Sequence, residues 1–181
     1  ADESGELVLF SVLDHGEPRW VMAAVGKQQR LKIDPVTPLA PHATATGKAW
    51  LSTLPDEQVA AIVEGKLERL TPYTVTTLDA LLAQLTKIRS TGLAVSDQEN
   101  ETGIAAVATP IWTPASAAED TPRRCVGFIS ITAPVSRATP ADFDRFGVLL
   151  RAAAASLAES WPLPEAEGYA STESQMPRGL I

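Results

Sequence analysis

The sequence contains a single cysteine, Cys125, and this scarcity excludes several classes of protein. One cysteine cannot form an intrachain disulfide, and it cannot supply a zinc site built from several cysteines. Unpaired thiols are typical of proteins that work in a reducing compartment. We therefore expect a cytoplasmic protein without a disulfide framework.

Basic residues and long apolar runs are also scarce. The chain has 15 lysines and arginines against 22 aspartates and glutamates, which gives a formal net charge of −7. Nucleic-acid binding requires clustered basic residues that displace counterions from phosphates. The longest apolar run, residues 148–158, is too short and too interrupted to span a bilayer, and no signal-like segment opens the chain. We predict that this chain alone binds neither DNA nor a membrane.

Familiar catalytic motifs are absent as well. Residues 46–48, Thr-Gly-Lys, resemble part of a phosphate-binding loop, but His42 stands where its first glycine is required and Ala49 replaces its magnesium-binding hydroxyl residue. No Gly-x-Ser-x-Gly segment is available for a serine hydrolase. His15 and His42 lack a spacing typical of a shared metal site. The sequence therefore predicts no enzyme, no cofactor and no bound metal.

Two groups leave a chemical role open. Asp97, Glu99 and Glu101 could supply acid–base or metal-binding carboxylates, but alternate acidic residues on a loop more often indicate solvated charge. Cys125 begins an apolar strand beside two arginines that would lower the pKa of its thiol. The other interpretation is a buried, inert thiol.

The hydrophobic pattern predicts alternating strands and helices. A helix over residues 78–90 is expected to begin with Thr76 as its cap and to end at Gly92. Thr53 and Asp56 resemble a capping pair for a shorter helix, and Thr139 followed by proline begins the last one. Strands are predicted over residues 6–12, 19–25, 93–96, 104–111 and 125–132.

The composition, with 45% hydrophobic residues in 181, is sufficient for one core of ordinary size. We expect a single domain over residues 1–163. Residues 113–122 have the composition of a surface loop. Residues 164–181, rich in Pro, Gly, Ser and Glu, have that of a flexible C-terminal tail.

Residues 41–51, Pro-His-Ala-Thr-Ala-Thr-Gly-Lys-Ala-Trp-Leu, resemble the signature HA-(S/T)-x-x-GKA-x-L of the ligand domain of IclR-type bacterial transcription regulators. Similar segments follow in the same order at residues 70–78, 88–94, 97–99, 103–111 and 126–134. The resemblance implies an α/β fold of the α+β type, GAF-like, in which helices flank a twisted, mainly antiparallel sheet. It also implies a homodimer or homotetramer that binds a small organic acid effector. DNA would be bound only through an N-terminal winged helix-turn-helix domain, which this chain lacks.

The resemblance also implies the ligand-binding residues. Small acids, and aromatic acids in catabolic members, are held in the family by groups that fall on four positions here. The backbone amides of Ala45 and Thr46 would lie at a helix start, where free N–H groups and the helix dipole favour an anion. The hydroxyls of Ser130 and Thr132 would share one face of a strand.

The expected site departs from the small-acid sensors of the family at two positions. Those sensors typically carry an aspartate and a cysteine where this chain has Ser96 and Ala106. Smaller neutral side chains leave more room and less charge, which favours a larger or aromatic acid. Asp97 completes the expected set, and Trp50 and Trp112 are expected either to line the pocket or to pack in the core.

Two other functions remain as alternatives. A GAF-like reductase would use cysteine pairs, which a chain with one cysteine cannot form. A GAF-like signalling or dimerisation module would bind a different small molecule. The GKA-type segment and the absence of a nucleotide-binding motif favour the regulator over this module.

Overall fold

The computed structural model describes residues 1–27, 40–113 and 123–161. Within these residues, five strands form one antiparallel sheet in the order β2-β1-β5-β4-β3, and four α-helices lie on its faces. The elements are β1 (Leu7–Asp14), β2 (Glu17–Ala24), α1 (Ala45–Leu51), α2 (Asp56–Val63), α3 (Leu78–Thr91), β3 (Ala94–Asp97), β4 (Ile104–Trp112), β5 (Cys125–Pro134) and α4 (Pro140–Glu159). The predicted fold class is confirmed.

The first two strands form the predicted hairpin. His15 and Gly16 connect them, and both have positive φ angles, 51° and 87°. Two consecutive residues of this kind are typical of the tight turn whose twist matches antiparallel strands. On its other side β1 pairs with β5, so the hairpin leaves β2 at the edge of the sheet.

Successive side chains of each strand point to opposite faces of the sheet, and apolar side chains form a core on each face. On one face, Val107 and Ile131 pack with Phe146 of α4. On the other face, Phe128 packs with Leu85 of α3 and with residues of α1 and α2. The sheet therefore separates α4 from the other three helices, and α1 lies against the three strands β3, β4 and β5.

Two predicted helix ends are confirmed. The Thr139 hydroxyl accepts a hydrogen bond from the Asp142 amide, and the Asp142 carboxylate accepts one from the Thr139 amide, so a complete capping box encloses the helix start at Pro140. Gly92 ends α3 in the left-handed region, with φ of 73°.

Two other predicted caps are wrong. The side chain that accepts an amide at the start of α3 is Thr77 rather than Thr76. Thr53 does not cap α2, which begins after Pro55 without a side-chain cap. The Thr53 hydroxyl donates instead to the carbonyl of Trp50 at the end of α1.

The predicted tail, residues 164–181, lies outside the described residues, as does the predicted loop at 113–122 except for its first residue. Among the described helices, none combines the length and the apolar character that a bilayer crossing would require.

Gly127 provides a test of the contact between β1 and β5. A Cβ atom at this position would lie 2.3 Å from the carbonyl oxygen of Ser11, so Gly127→Ala must displace one strand. We expect the free energy of unfolding in urea to fall by about 1–3 kcal/mol. The exposed control Ser136→Ala should change it by less than about 0.5 kcal/mol. Equal unfolding midpoints for the two variants would contradict the described pairing.

Candidate functional site

Four of the predicted site residues share one face of the sheet. In the strand register, Ser96 lies opposite Ala106, and Ala106 lies opposite Thr132, so the three form a row across β3, β4 and β5. Ser130, two residues before Thr132, lies in the adjacent row opposite Ala108. Opposite residues of antiparallel strands project to the same face. This is the face covered by α1, α2 and α3.

The start of α1 is tied to this face. The Ser96 hydroxyl donates to the carbonyl of Ala43 at 2.6 Å, just before the helix begins. Gly47 permits a close approach to the preceding segment, because a Cβ atom there would lie 2.4 Å from Cα of Pro41. The first turn of α1 is therefore held beside the row that Ser96 begins.

Most of the first turn's amides have no protein acceptor. Thr44 caps the helix by accepting the Gly47 amide at 3.1 Å. The amides of Ala45 and Thr46 donate no hydrogen bond to any group in the described part of the chain. Free amides at a helix start are suited to an anion, as the sequence predicts.

Three hydroxyls near this helix start are similarly free. Thr46 and Ser130 are buried and Thr132 is half-buried. Within residues 1–27, 40–113 and 123–161, none of the three side chains forms a hydrogen bond with the protein. Among the described residues, Oε2 of Glu99 is the side-chain oxygen or nitrogen that is buried without a partner, so these three hydroxyl oxygens are not sealed off and remain open to a ligand. The arrangement is therefore one that a hydrogen-bonding ligand would complete.

The remaining predicted residues are not all brought together. Asp97 is exposed, and strand alternation directs it to the face opposite that of Ser96. Trp50 is buried in the apolar cluster of α1, α2 and α3. Trp112 is half-buried at the end of β4, with the guanidinium of Arg123 5.9 Å from its ring centroid.

A buried ion pair beside the site is the feature that the sequence analysis missed. Nζ of Lys48, in the second turn of α1, lies 2.5 Å from Oε1 of Glu99 and 3.0 Å from Oε1 of Gln84. The Lys48 side chain is 1% exposed and that of Glu99 8%. Treating Glu99 as solvated charge was therefore wrong. The signal available in the sequence was Lys48, which lies among the small residues of the segment 41–51. A lysine buried in such a segment needs an anionic partner, and this requirement could have indicated a buried acidic residue elsewhere in the chain.

Burial and pairing act on these two groups in opposite directions. Burial raises the pKa of Glu99, while the charge of Lys48 and the hydrogen bond from it lower that pKa. Burial lowers the pKa of Lys48, and Glu99 raises it. The other carboxylate oxygen, Oε2 of Glu99, is buried without a hydrogen-bond partner among the described residues. The charge of Lys48 and its hydrogen bond are thus the main interactions that offset the desolvation of the Glu99 carboxylate.

The other residues considered for a chemical role, Cys125 and His42, lie in surroundings typical of structural residues. Burial raises the pKa of Cys125 to about 11, so the thiol is protonated at neutral pH and the interpretation of an arginine-activated thiol is wrong. Nε2 of His42 lies 2.9 Å from the carbonyl oxygen of Glu68. In the described part of the chain, no group of three or more His, Cys, Asp or Glu side chains is arranged to hold a metal.

Comparisons with known proteins agree with this architecture. Residues 1–159 match the sequence profile described as the C-terminal domain of the bacterial transcriptional regulator IclR. The HTH-type transcriptional regulator XynR of Escherichia coli K12 is 28% identical over 163 residues. This match covers 89% of the chain and 62% of XynR. The chain thus spans less than two thirds of the length of this transcriptional regulator.

Two solved structures extend the similarity. An IclR-type transcriptional regulator from Silicibacter sp. TM1040 has a TM-score of 0.75 and 30% identity, and the match covers 87% of this chain and 60% of that one. The inducer-binding domain of PobR from Acinetobacter, a double mutant solved with 3-hydroxybenzoic acid, has a TM-score of 0.70 and 28% identity. Here the match covers 86% and 89% of the two chains.

We predict that Lys48→Met lowers the free energy of unfolding at pH 7 by about 3–5 kcal/mol, because it leaves Glu99 buried without a cation. The substitution removes both influences of Lys48 that lower the pKa of Glu99. The folded variant then holds the Glu99 proton more tightly than the unfolded chain, whose carboxyl has the ordinary pKa of 4.5. Stability should therefore recover as the pH falls from neutrality towards that value.

Urea unfolding at several pH values measures this effect. Lys87→Met, at an exposed position of α3, is the matched control and should change stability little at any pH. Lys48→Met combined with Glu99→Gln should recover part of the loss at pH 7. A deficit that is the same at acid and neutral pH would contradict the described pair.

Proposed function

Because the chain belongs to the IclR family of bacterial transcriptional regulators, we propose that it senses a small organic acid. Its place in the family is that of the effector-binding domain, which corresponds to the matched residues 1–159. We extend this domain to residues 1–163, with residues 164–181 as a tail.

The observation that carries the proposal is the set of free donors on one face. The amides of Ala45 and Thr46 and the hydroxyls of Thr46, Ser130 and Thr132 have no partner within the described residues. A carboxylate accepts hydrogen bonds only, and its two oxygens offer about four acceptor sites. Charge-assisted hydrogen bonds from amides and hydroxyls would hold it without a cationic side chain.

The neighbouring positions favour a sizeable acid. Ala106 and Ala108 are small and lie in the same two rows as the hydroxyls. Ser96 is already bonded to Ala43, so it bounds the space and leaves the anion to the other donors. The body of the acid would extend over Ala106. The similarity to a domain solved with 3-hydroxybenzoic acid supports an aromatic acid.

The activity of the complete regulator follows as part of the proposal. DNA would be bound through an N-terminal winged helix-turn-helix domain, and the effector domain would form a homodimer or homotetramer. An effector that prefers one of two subunit arrangements shifts the population towards that arrangement. The acid would control DNA binding in this way.

Substitutions of the free hydroxyls test the acid site. We expect Ser130→Ala and Thr46→Val each to weaken binding of the best acid by about fivefold to tenfold, since each removes a hydrogen bond worth about 1 kcal/mol. Aromatic and aliphatic acids are screened by thermal shift, and affinities are then measured by calorimetry. Thr86→Val, on the exposed side of α3, is the control and should bind normally. Unchanged affinity in both folded site variants would mean that the acid binds elsewhere.

The division of roles within the regulator is tested with this chain alone. Because its net charge is −7, we expect no sequence-specific retention of the promoter DNA next to its own gene at physiological salt. A gel-shift titration measures this, with a known DNA-binding domain as positive control. Specific retention by this chain would contradict the proposal that DNA is bound through another domain.

A further inference from the structure

A groove at the end of α2 lies apart from the predicted acid site. It has a volume of about 790 Å³, which is typical of sites for small molecules. Its walls come from the end of α2, the segment that follows it and the first residue of α3, and they include Ala60, Ala61, Glu64, Leu67, Glu68 and Leu78. None of the residues that line the groove is among those predicted to bind the acid.

The groove forms where the chain turns directly after α2. Gly65 has a φ angle of 67°, a conformation that other residues rarely adopt, and the Lys66 amide donates to the Val63 carbonyl at 2.9 Å. Further along, Nε2 of His42 lies 2.9 Å from the carbonyl oxygen of Glu68. Hydrogen bonds thus hold this segment at both of its ends.

The end of α2 carries negative charge that no base in the groove offsets. Within the described residues, no amide beyond the helix donates to the carbonyl oxygens of Ala60, Ala61 or Ile62, and free carbonyls make a helix C-terminus partly negative. Glu64 follows directly, while the last turn of α2 contains no basic residue. Glu68 adds a second carboxylate, and no lysine or arginine is among the described residues that line the groove.

The other long helices show what is particular to this place. Cations are favourable at a helix C-terminus and acids at a helix start, and α3 follows this rule with Arg89 in its last turn and Asp79 in its first. α4 ends at Glu159 without a base in its last turn, but Glu159 does not line the groove. An acid at a helix end is therefore not sufficient by itself. At α2 it coincides with a second carboxylate and with apolar walls.

The apolar walls distinguish between kinds of cation. Leu67 and Leu78 are half-buried, so each leaves part of its side chain open to the groove. Within the described residues, no three acidic side chains converge as a metal ion would require. The groove is thus suited to a cation that carries a hydrocarbon group.

We propose that the groove is a second ligand site of this domain and binds an organic ammonium ion. The ammonium group would lie at the end of α2, beside the carboxylates of Glu64 and Glu68, and the apolar body would pack against Leu67 and Leu78. The same charges disfavour a carboxylate, so an acid and an amine would occupy separate sites. The inference does not depend on the proposed function, since the two sites share no residue.

Titration of the isotope-labelled chain with phenethylammonium, followed by amide NMR spectra, tests the site. We expect saturable shifts at residues 60–68 and at Leu78, with the amides of Ala45 and Thr46 unchanged. Phenethyl alcohol keeps the shape of this probe without its charge and should bind at least about fivefold more weakly. Methylammonium keeps the charge without the ring and should bind at least about tenfold more weakly, because it buries little apolar surface.

Substitutions of the exposed glutamates separate the charge from the shape of the groove. Glu64→Gln and Glu68→Gln should each weaken phenethylammonium binding about twofold to fivefold, and the double variant about tenfold, since single exposed charge pairs are weak. Glu159→Gln removes the same charge at the end of α4 and is the matched control, which should bind like the wild type. Glu64→Lys supplies an ammonium group from the chain itself. It should abolish binding and raise the midpoint of urea unfolding, because a cation is favourable at a helix C-terminus.

Three results would overturn the proposal: no saturable shift in the groove, equal affinity for phenethylammonium and phenethyl alcohol, or wild-type affinity in the double glutamine variant. Groove amides that shift with protein concentration alone would assign the groove to a second copy of the chain. Binding of a lysine-rich peptide without binding of the amine would assign it to a protein partner, and either assignment also overturns the proposal. Failure of acids to bind at Ala45 and Thr46 would contradict the proposed function and leave the amine site standing.

Discussion

The buried ion pair between Lys48 and Glu99 is the contact on which the geometry of the candidate site depends. It joins the helix α1 to the loop that follows β3, and Gln84 of α3 shares the same ammonium group. The loop is held from its other side, since the hydroxyl of Thr74 donates to the Glu99 carbonyl at 2.6 Å. A buried pair of this kind contributes little net stability, because desolvation of both charges offsets their attraction. Its effect is to fix one arrangement of α1.

A fixed α1 determines what the sheet can offer to a ligand. The amides of Ala45 and Thr46 precede Lys48 by one turn or less, so their position follows from the ion pair. The register of β3, β4 and β5 then places Ser130 and Thr132 on the face that α1 covers. Donors from α1 and β5, two elements distant in sequence, thus lie on the same side of the sheet, without a charged side chain among them. The organic acid that we propose as effector would be held by these donors, and the size of its body would set the specificity.

The features that the sequence predicted well are those determined by local chemistry. The hairpin turn, the capping box at Thr139 and the left-handed Gly92 each depend on residues within a few positions of one another. The wrong caps, Thr76 and Thr53, show the limit of this reasoning. Neighbouring hydroxyls compete for the same amides and carbonyls, and only the backbone geometry decides between them.

The site was predictable only in part, for a related reason. The resemblance to the family indicated the helix start and the two strand hydroxyls, and alternation along β5 explains why Ser130 and Thr132 share a face. Alternation also directs Asp97 away from Ser96, although the two are adjacent in sequence. The burial of Glu99 depends on Lys48, 51 residues earlier. A polar loop that contains one buried charge has the same composition as a solvated loop, so pattern alone cannot distinguish them.

The central claim is that an organic acid binds at the start of α1 against the hydroxyls of β5. Titration of the isotope-labelled chain with 3-hydroxybenzoate, followed by amide nitrogen–proton NMR spectra, tests it most directly. The account predicts that the largest shifts occur at the amides of Ala45 and Thr46, with smaller shifts at Ser130 and Thr132. Saturable shifts confined to the surface groove lined by Ala60, Glu64 and Leu67, with Ala45 and Thr46 unchanged, would contradict it.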